Sequence, residues 1–365
     1  MSGLVVLADV PLGYGSPQII RLTETLSRLV NEPATIIAPK GDDAAQKIAA
    51  SARVGLTQLS AGAPFGNVRF DIEFCLQAAR EVDRLAPRWL VQVAFLGAPA
   101  LLRLRYRPQH CIYYGYEHTD GMLPWIERVF AGLRGRFHLA IFPEPHRAAL
   151  DAARLGLGNT PVLILLNSVT PLAAVVPSEL RNNRFVYAGL VDPHRTYGDA
   201  MLGGPFDELP IDVVGRLEGF DNPASVVAAL GNRDTNVRYH GKRPADAEYH
   251  REIAAAAAAI VAWAPLTEST FFACPNKFFE AIALGVPPIT LPHPQTAMLV
   301  RQFNCGWVAD GFSIAALQKA LLKAQQTFGT PQHELLVDQC MRHAQPHLSW
   351  AAQERKLERA ISSLL

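Results

Sequence analysis

The residues best suited to chemistry lie in one segment, Cys274-Pro-Asn-Lys-Phe-Phe-Glu-Ala-Ile-Ala-Leu-Gly-Val-Pro-Pro-Ile-Thr290. Pro275 fits at or near the first turn of a helix, where its missing N–H costs nothing. Phe278, Phe279 and Ile282 form the buried side of that helix, and Gly285 ends it as a C′ glycine. Pro287 forbids continuation, and a strand returns through Ile289. Asn276, Lys277 and Glu280 then lie within the first turn or just beyond it. Free N–H groups at a helix N-terminus, reinforced by a lysine ammonium, suit a phosphate or diphosphate. Glu280 can accept two hydroxyl hydrogens, as a ribose diol offers them. Together these residues point to a nucleoside diphosphate.

Such a helix end must be held by a scaffold, and the rest of the chain says which. At 365 residues it exceeds what one core usually organises, so two domains are expected. Hydrophobic residues make up 49% and charged residues 18%, which excludes general disorder. A net charge of +1 gives no footprint for nucleic acid, so no nucleic-acid partner is expected. The five cysteines form no CxxC pair, and they read as buried thiols in a reducing compartment. The first apolar run is broken by Asp9 and Pro11 and reads as a strand, not a signal peptide. The longest membrane candidate, Ile253–Ala264, falls far short of the roughly 20 residues a span needs.

Short apolar runs alternate with helical segments, the pattern of parallel sheets covered by helices. The first half offers strands at Leu4–Ala8, Ala34–Ala38, Trp89–Val93, Cys111–Tyr114, Leu139–Phe142 and Val162–Leu166. Helices are predicted over Gln18–Val30, Ile72–Leu85 and Arg147–Leu155. The second half starts over with strands at Arg184–Ala188, Ile211–Val214, Val237–Tyr239, Ile260–Ala264 and Pro288–Leu291, and helices at Ile314–Gln326 and Trp350–Leu364. The expected organisation is a domain over 1–167, a crossing over 168–183, a second domain over 184–346, and a closing helix over 347–365. Ligand sites of open α/β sheets lie at the carboxyl ends of the strands. The fold class is therefore α/β, two Rossmann-like parallel-sheet domains facing across a cleft.

The run Pro275-Asn-Lys-Phe-Phe-Glu-Ala-Ile-Ala-Leu-Gly-Val-Pro-Pro-Ile289 resembles the signature of the GT-B glycosyltransferases. The likeness is to the large retaining group-1 set that includes enzymes of bacterial surface-polysaccharide synthesis. Arg184-Phe-Val-Tyr-Ala-Gly-Leu-Val191, Ile211–Arg216, Asn236–Lys242 and the Leu348-Ser-Trp350 ending extend it. The resemblance implies a GT-B architecture whose second domain binds a UDP-, GDP- or dTDP-sugar donor. Glu280 would hold ribose, and Pro275, Asn276 and Lys277 would sit by the diphosphate and sugar. The sequence departs from the pattern twice. Relatives often carry an arginine after the strand glycine and a lysine five residues on; here these are Leu190 and Arg195. Their first signature glutamate is replaced by Phe272. Lys242, Arg243 and Lys277 are the cations left to compensate.

In the first half, Asp9-Val-Pro-Leu-Gly-Tyr-Gly-Ser16 follows the first strand and lacks the third glycine of a dinucleotide fingerprint. The resemblance turns this loop, with Gly15, toward the cleft. It likewise makes His118 and Glu117, in Tyr113-Tyr-Gly-Tyr-Glu-His-Thr-Asp120, and Glu144 the catalytic candidates. A histidine there can bond a sugar hydroxyl, and a carboxylate can orient or deprotonate an attacking one. Arg147, His240 and His293 are further cleft candidates. No metal site is expected, since no DxD, HxH or HExxH occurs, and no cofactor beyond the sugar nucleotide. Nine arginines between Arg80 and Arg136, interleaved with Trp125, Phe130, Leu133 and Phe137, suit an anionic membrane face or a lipid-diphosphate acceptor. The reading is a cytoplasmic glycosyltransferase, at the inner face of the membrane when associated, that acts on a glycan or lipid-linked acceptor. Two rivals remain: a nucleotide-sugar epimerase on the same layout, and a degenerate sugar-nucleotide-binding subunit favoured by Phe272 and Leu190.

Overall fold

A computed structural model of the chain describes residues 3–12, 17–40, 53–61, 68–120, 124–170, 176–177, 180–243 and 247–365. The backbone divides into two units, one of Met1–Leu166 with Glu354–Leu365, the other of Asn167–Gln353.

The first unit holds seven strands: β1 (Leu4–Ala8), β2 (Ala34–Pro39), β3 (Gly55–Leu59), β4 (Trp89–Val93), β5 (His110–Tyr114), β6 (Leu139–Phe142) and β7 (Val162–Ile164). They form one parallel sheet in the order β3-β2-β1-β4-β5-β6-β7. The four strands β1, β4, β5 and β6 are buried along their whole length, as helices on both faces of a parallel sheet require. Phe74, Leu90, Tyr113, Phe130 and Phe142 fill one side of the core. The helix Pro17–Val30 buries Ile19, Leu22 and Leu26, the positions its three-and-four spacing selects. Strand β3 is unforeseen because its residues are mostly half-exposed and carry no apolar run. Arg28 pairs with Glu354, which ties the last helix to this unit.

The second unit repeats the design with β8 (Phe185–Ala188), β9 (Ile211–Val214), β10 (Arg238–Tyr239), β11 (Ala258–Val261), β12 (Pro288–Thr290) and β13 (Trp307–Val308). All pairings are parallel, in the order β10-β9-β8-β11-β12-β13. One strand sits two residues earlier than its hydrophobicity suggests. Ala258 pairs with Phe185, so β11 runs over Ala258–Val261 and not Ile260–Ala264. The six alanines from Ala254 to Ala259 have no period, so only the ladder defines where the strand begins. That shift puts Trp263 and Ala264 beyond the strand, in the loop at its carboxyl end.

The signature helix spans Asn276–Ala283, with Pro275 as N-cap residue and Gly285 at φ +68° just past its end. Phe278, Phe279 and Ile282 are buried as expected. The buried guanidinium of Arg181 donates to the carbonyls of Leu284 and Ala256, holding the C-terminal end of this helix and the turn before β11. Burial lowers that guanidinium to about 10, and Cys340 pulls it up only partly. All five cysteines are free and buried. Since Phe278 is fully buried, Phe278→Ala should destabilise the protein by about 3–5 kcal/mol. Chemical denaturation of the two proteins checks this.

Candidate functional site

Strand order reverses between β8 and β11 in the second unit: β8 leads outward to β9 on one side, and β11 leads to β12 on the other. The crevice outside their carboxyl ends is where such sheets bind ligands. Two glycines keep its floor bare. Gly189 follows β8, and Gly215 follows β9 so closely that a Cβ on Gly215 would stand 1.6 Å from the Gly189 carbonyl oxygen. No residue but glycine fits there.

Over this floor lies Lys277, its stem 3.8 Å from where a Gly189 Cβ would point. Its ammonium donates at 2.8 Å to Glu280 Oε2 and at 2.8 Å to the Tyr249 hydroxyl. It also stands 5.2 Å from the centre of the Tyr249 ring. Lys277, Glu280, Ala188 and Ile260 line a cavity of about 10 Å³ behind the pair, room for at most one water. Pro275 and Asn276 are half-buried at the same helix start.

Arg195 joins from the loop after β8. Its guanidinium lies 5.0 Å above the Trp263 ring, and its carbonyl accepts from Ala264 N–H at 2.8 Å. Arg195 and Lys277 both act on the buried Tyr187 phenol. Burial raises that phenol to about 12, and its bond to Thr196 and these two cations oppose the rise. The predicted residues Lys277, Glu280 and Arg195 therefore share one strand edge with Tyr249 and Trp263, which the sequence reading did not single out. Trp263 was hidden inside a predicted strand. Tyr249 sits in the helix Ala247–Ala254, outside every segment that carries the resemblance.

Other second-unit candidates are committed elsewhere. His240 faces Asp212 at 2.9 Å, and Arg184 binds the other carboxylate oxygen. Burial alone would raise the Asp212 carboxyl, but these two partners hold it below its ordinary value. Arg243 pairs with Glu252, whereas Lys242 is exposed. His293 is buried, its two ring nitrogens 2.8 Å and 2.9 Å from the carbonyls of Phe271 and Trp263. Both bonds form only in the imidazolium, while burial pushes the ring's pKa down. The neutral ring that burial favours donates to one of the two carbonyls at a time, so His293 packs between them rather than bridging both. Between Trp263 and the signature helix, Phe272 is a half-buried ring set edge-on to Phe271, at 4.9 Å between centroids.

In the first unit, the carboxyl edge of the sheet gathers a second polar cluster. Nδ1 of His118 lies 2.7 Å from Asp151 Oδ1, with both side chains fully buried. The backbone N–H of Thr119 donates to the same oxygen. Glu144, also buried, caps the helix Pro145–Arg154 by accepting from Arg147 N–H, and its other oxygen meets His146. That cap explains why the helix begins before the predicted Arg147. Arg147 is buried and donates to the Tyr116 carbonyl at 3.2 Å. Glu117 is exposed. Gly15 lies outside the described residues. An unforeseen member is Asp9, directly after β1 and 2% exposed, which accepts from Gly97 N–H at 3.0 Å. Burial lifts its carboxyl to about 7 against the pull of the Gly97 and Leu96 amides, and the charge of Glu117 adds to the rise.

The arginine-rich stretch is largely a surface. Arg103, Arg105, Arg107, Arg128 and Arg134 are exposed, beside the exposed side chains of Leu102 and Tyr106. Asp83 fixes this loop by accepting from the N–H groups of Arg105 and Tyr106. A depression of about 770 Å³ lined by Arg134, Phe137 and Asn159 opens at the amino ends of β6 and β7, the opposite end from the cluster. Among the described residues, no three His, Cys, Asp or Glu side chains converge as metal ligands.

Two parallel-sheet units of this topology define the GT-B fold, and solved GT-B glycosyltransferases match the chain over its whole length. HepE from Anabaena, in complex with UDP and glucose, is 13% identical with a TM-score of 0.74, covering 100% of both chains. Sucrose-phosphate synthase from Thermosynechococcus elongatus is 15% identical with a TM-score of 0.72, covering 100% of this chain and 99% of its own. A glycosyltransferase from Rickettsia africae is 11% identical with a TM-score of 0.71, covering 99% of this chain and 98% of its own. No protein-family model matches the chain, and no curated protein matches it. The chain has the GT-B fold.

Asp9 gives the first unit a testable pH dependence. Its carboxyl keeps a proton to about pH 7 when folded but loses it near 3.8 when unfolded. Its contribution is therefore most favourable below pH 3.8 and is lost as pH rises through 7. Across that window the group should remove roughly 4 kcal/mol of stability. Urea unfolding at several pH values should show a falling slope that Asp9→Asn flattens.

Proposed function

We propose that the protein is a glycosyltransferase that moves a sugar from a nucleoside-diphosphate sugar to an acceptor hydroxyl. The observation that carries this reading is the grouping of Lys277, Glu280 and Arg195 at the switch point between β8 and β11, over a glycine floor. An exposed diphosphate needs cations and N–H donors, and a ribose diol needs a carboxylate; this edge offers both. HepE, a protein of the same fold, was solved with UDP-glucose, in keeping with a uridine donor.

In this reading Glu280 accepts from the ribose hydroxyls. Lys277, Arg195 and the N–H groups of the Asn276–Ala283 helix carry the diphosphate, with Pro275 and Asn276 beside the sugar. The C1–phosphate bond breaks as the bond from the acceptor oxygen to C1 forms. Charge gathers on the departing phosphate, and preoriented cations lower its energy. The stereochemical course we assign is retention, with the departing phosphate oxygen taking the acceptor's proton and no metal ion required. Glu117 of the first unit is assigned to the acceptor hydroxyl, with the fully buried His118 anchoring its loop through Asp151, and Gly15 is assigned to the donor diphosphate and sugar. We assign Glu144 and Arg147 the work of holding the His118 loop, since both are tied into its supporting helix. The acceptor is a glycan or lipid-linked glycan, and the Arg103–Arg107 loop with Leu102 and Tyr106 meets an anionic membrane.

A thermal-shift screen against UDP, GDP, ADP, CMP and dTDP tests the donor assignment. One nucleoside diphosphate should raise the melting temperature, and Glu280→Ala should abolish the shift; no shift with any of them overturns the reading. Sedimentation with vesicles tests the surface. Binding should require anionic lipid and fall at least tenfold in an Arg103→Glu, Arg107→Glu double variant, at roughly 1 kcal/mol per basic residue.

A further inference from the structure

Lys277 and Glu280 are at once the two groups assigned to the ligand and each other's counter-ion. The ammonium is shared between Glu280 and Tyr249, at 2.8 Å each. Lys277 and Glu280 are largely withdrawn from water, with side-chain exposures of 26% and 16%. A half-buried charge that loses its partner bears the full cost of desolvation. Ribose arriving at Glu280 competes with the ammonium for the carboxylate. What remains to Lys277 is then the Tyr249 hydroxyl and the face of its ring. Tyr249 can hold that place because it is itself fixed: it is 3% exposed and packs with Val186, Ala188, Val214 and Ile253 under the sheet edge.

Resting on the donor-site reading above, we propose that Tyr249 is a positioning residue of the nucleotide site. Its hydroxyl and ring keep the Lys277 ammonium over Gly189 while ribose occupies Glu280, so that the ammonium meets the diphosphate without rearranging. The shared ion pair also sets specificity. A nucleoside takes Glu280 and leaves Lys277 without a counter-ion. Inorganic diphosphate takes Lys277 and leaves Glu280 beside added negative charge. Only a ligand carrying both ribose and diphosphate satisfies both groups, so the site selects nucleoside diphosphates over either half.

The test is a calorimetric or NMR titration of the full chain with the nucleoside diphosphate found in the screen, its parent nucleoside, and inorganic diphosphate. Wild-type protein should bind the nucleoside diphosphate well and each half at least 100-fold more weakly. Tyr249→Phe keeps the ring and removes the hydroxyl. It should weaken the nucleoside diphosphate about five- to tenfold, the worth of one charge-assisted hydrogen bond, and the nucleoside at least as much, because Lys277 then keeps neither counter-ion nor hydroxyl. In a Lys277→Met background, where titration extends to millimolar ligand, Tyr249→Phe should have no further effect, because the hydroxyl acts through the ammonium. Equal affinities of wild type and Tyr249→Phe, or the same loss in both backgrounds, overturns the role of Tyr249. If the wild type binds no nucleoside diphosphate at all, the donor-site reading fails first and takes this inference with it.

Discussion

When two neighbouring parallel strands send their following segments to opposite sides, a gap opens beyond their ends that no backbone fills. In the second unit that gap lies between β8 and β11, and the other features of the site follow from it. The loops after β8 and β9 must pass so closely that a glycine is obligatory at 215. After β11 and the short helix Glu268–Phe271, the helix Asn276–Ala283 begins beside the gap and sets Lys277 over Gly189. The Lys277 ammonium at this edge has its counter-charge in Glu280, at 2.8 Å.

The charges at this edge are few, and each is braced. Lys277 has a carboxylate and a tyrosine, and Arg195 has the face of Trp263. Neither cation is strapped into a rigid bidentate pair, so both can turn to a phosphate oxygen with little loss. His293 acts one layer further back, its neutral ring donating to the carbonyl of either Trp263 or Phe271. It thereby packs against the segment that carries the indole under Arg195. Where the family resemblance led one to expect a carboxylate, Phe272 contributes an aromatic ring instead.

The first unit solves a different problem. Its carboxyl edge buries Asp9, His118, Glu144, Arg147 and Asp151, a density of ionisable groups that packing alone would select against. Most are paired: His118 with Asp151, and Glu144 with the start of its own helix. Among the described residues Asp9 accepts from backbone N–H groups, and it meets burial by keeping its proton to about pH 7. A carboxyl group that titrates near neutrality at a strand end is a feature of working sites more than of supporting ones.

Sequence alone was enough for the α/β class, for most strands, and for the helix that presents Lys277 and Glu280. The reason is that these depend on local pattern: apolar runs, three-and-four spacing, and the Pro275–Gly285 punctuation. It was equally enough to single out Lys277 and Glu280 as the charged groups at the start of that helix. It did not extend to Tyr249, Trp263 or Asp9, whose importance comes from what stands beside them. Tyr249 reaches Lys277 from a helix 28 residues earlier in the chain, Trp263 leaves its predicted strand because Ala258 pairs with Phe185, and Asp9 owes its proton to burial. Register and long-range packing are energies of the whole sheet. They are settled only when the strands meet, and no local pattern carries them.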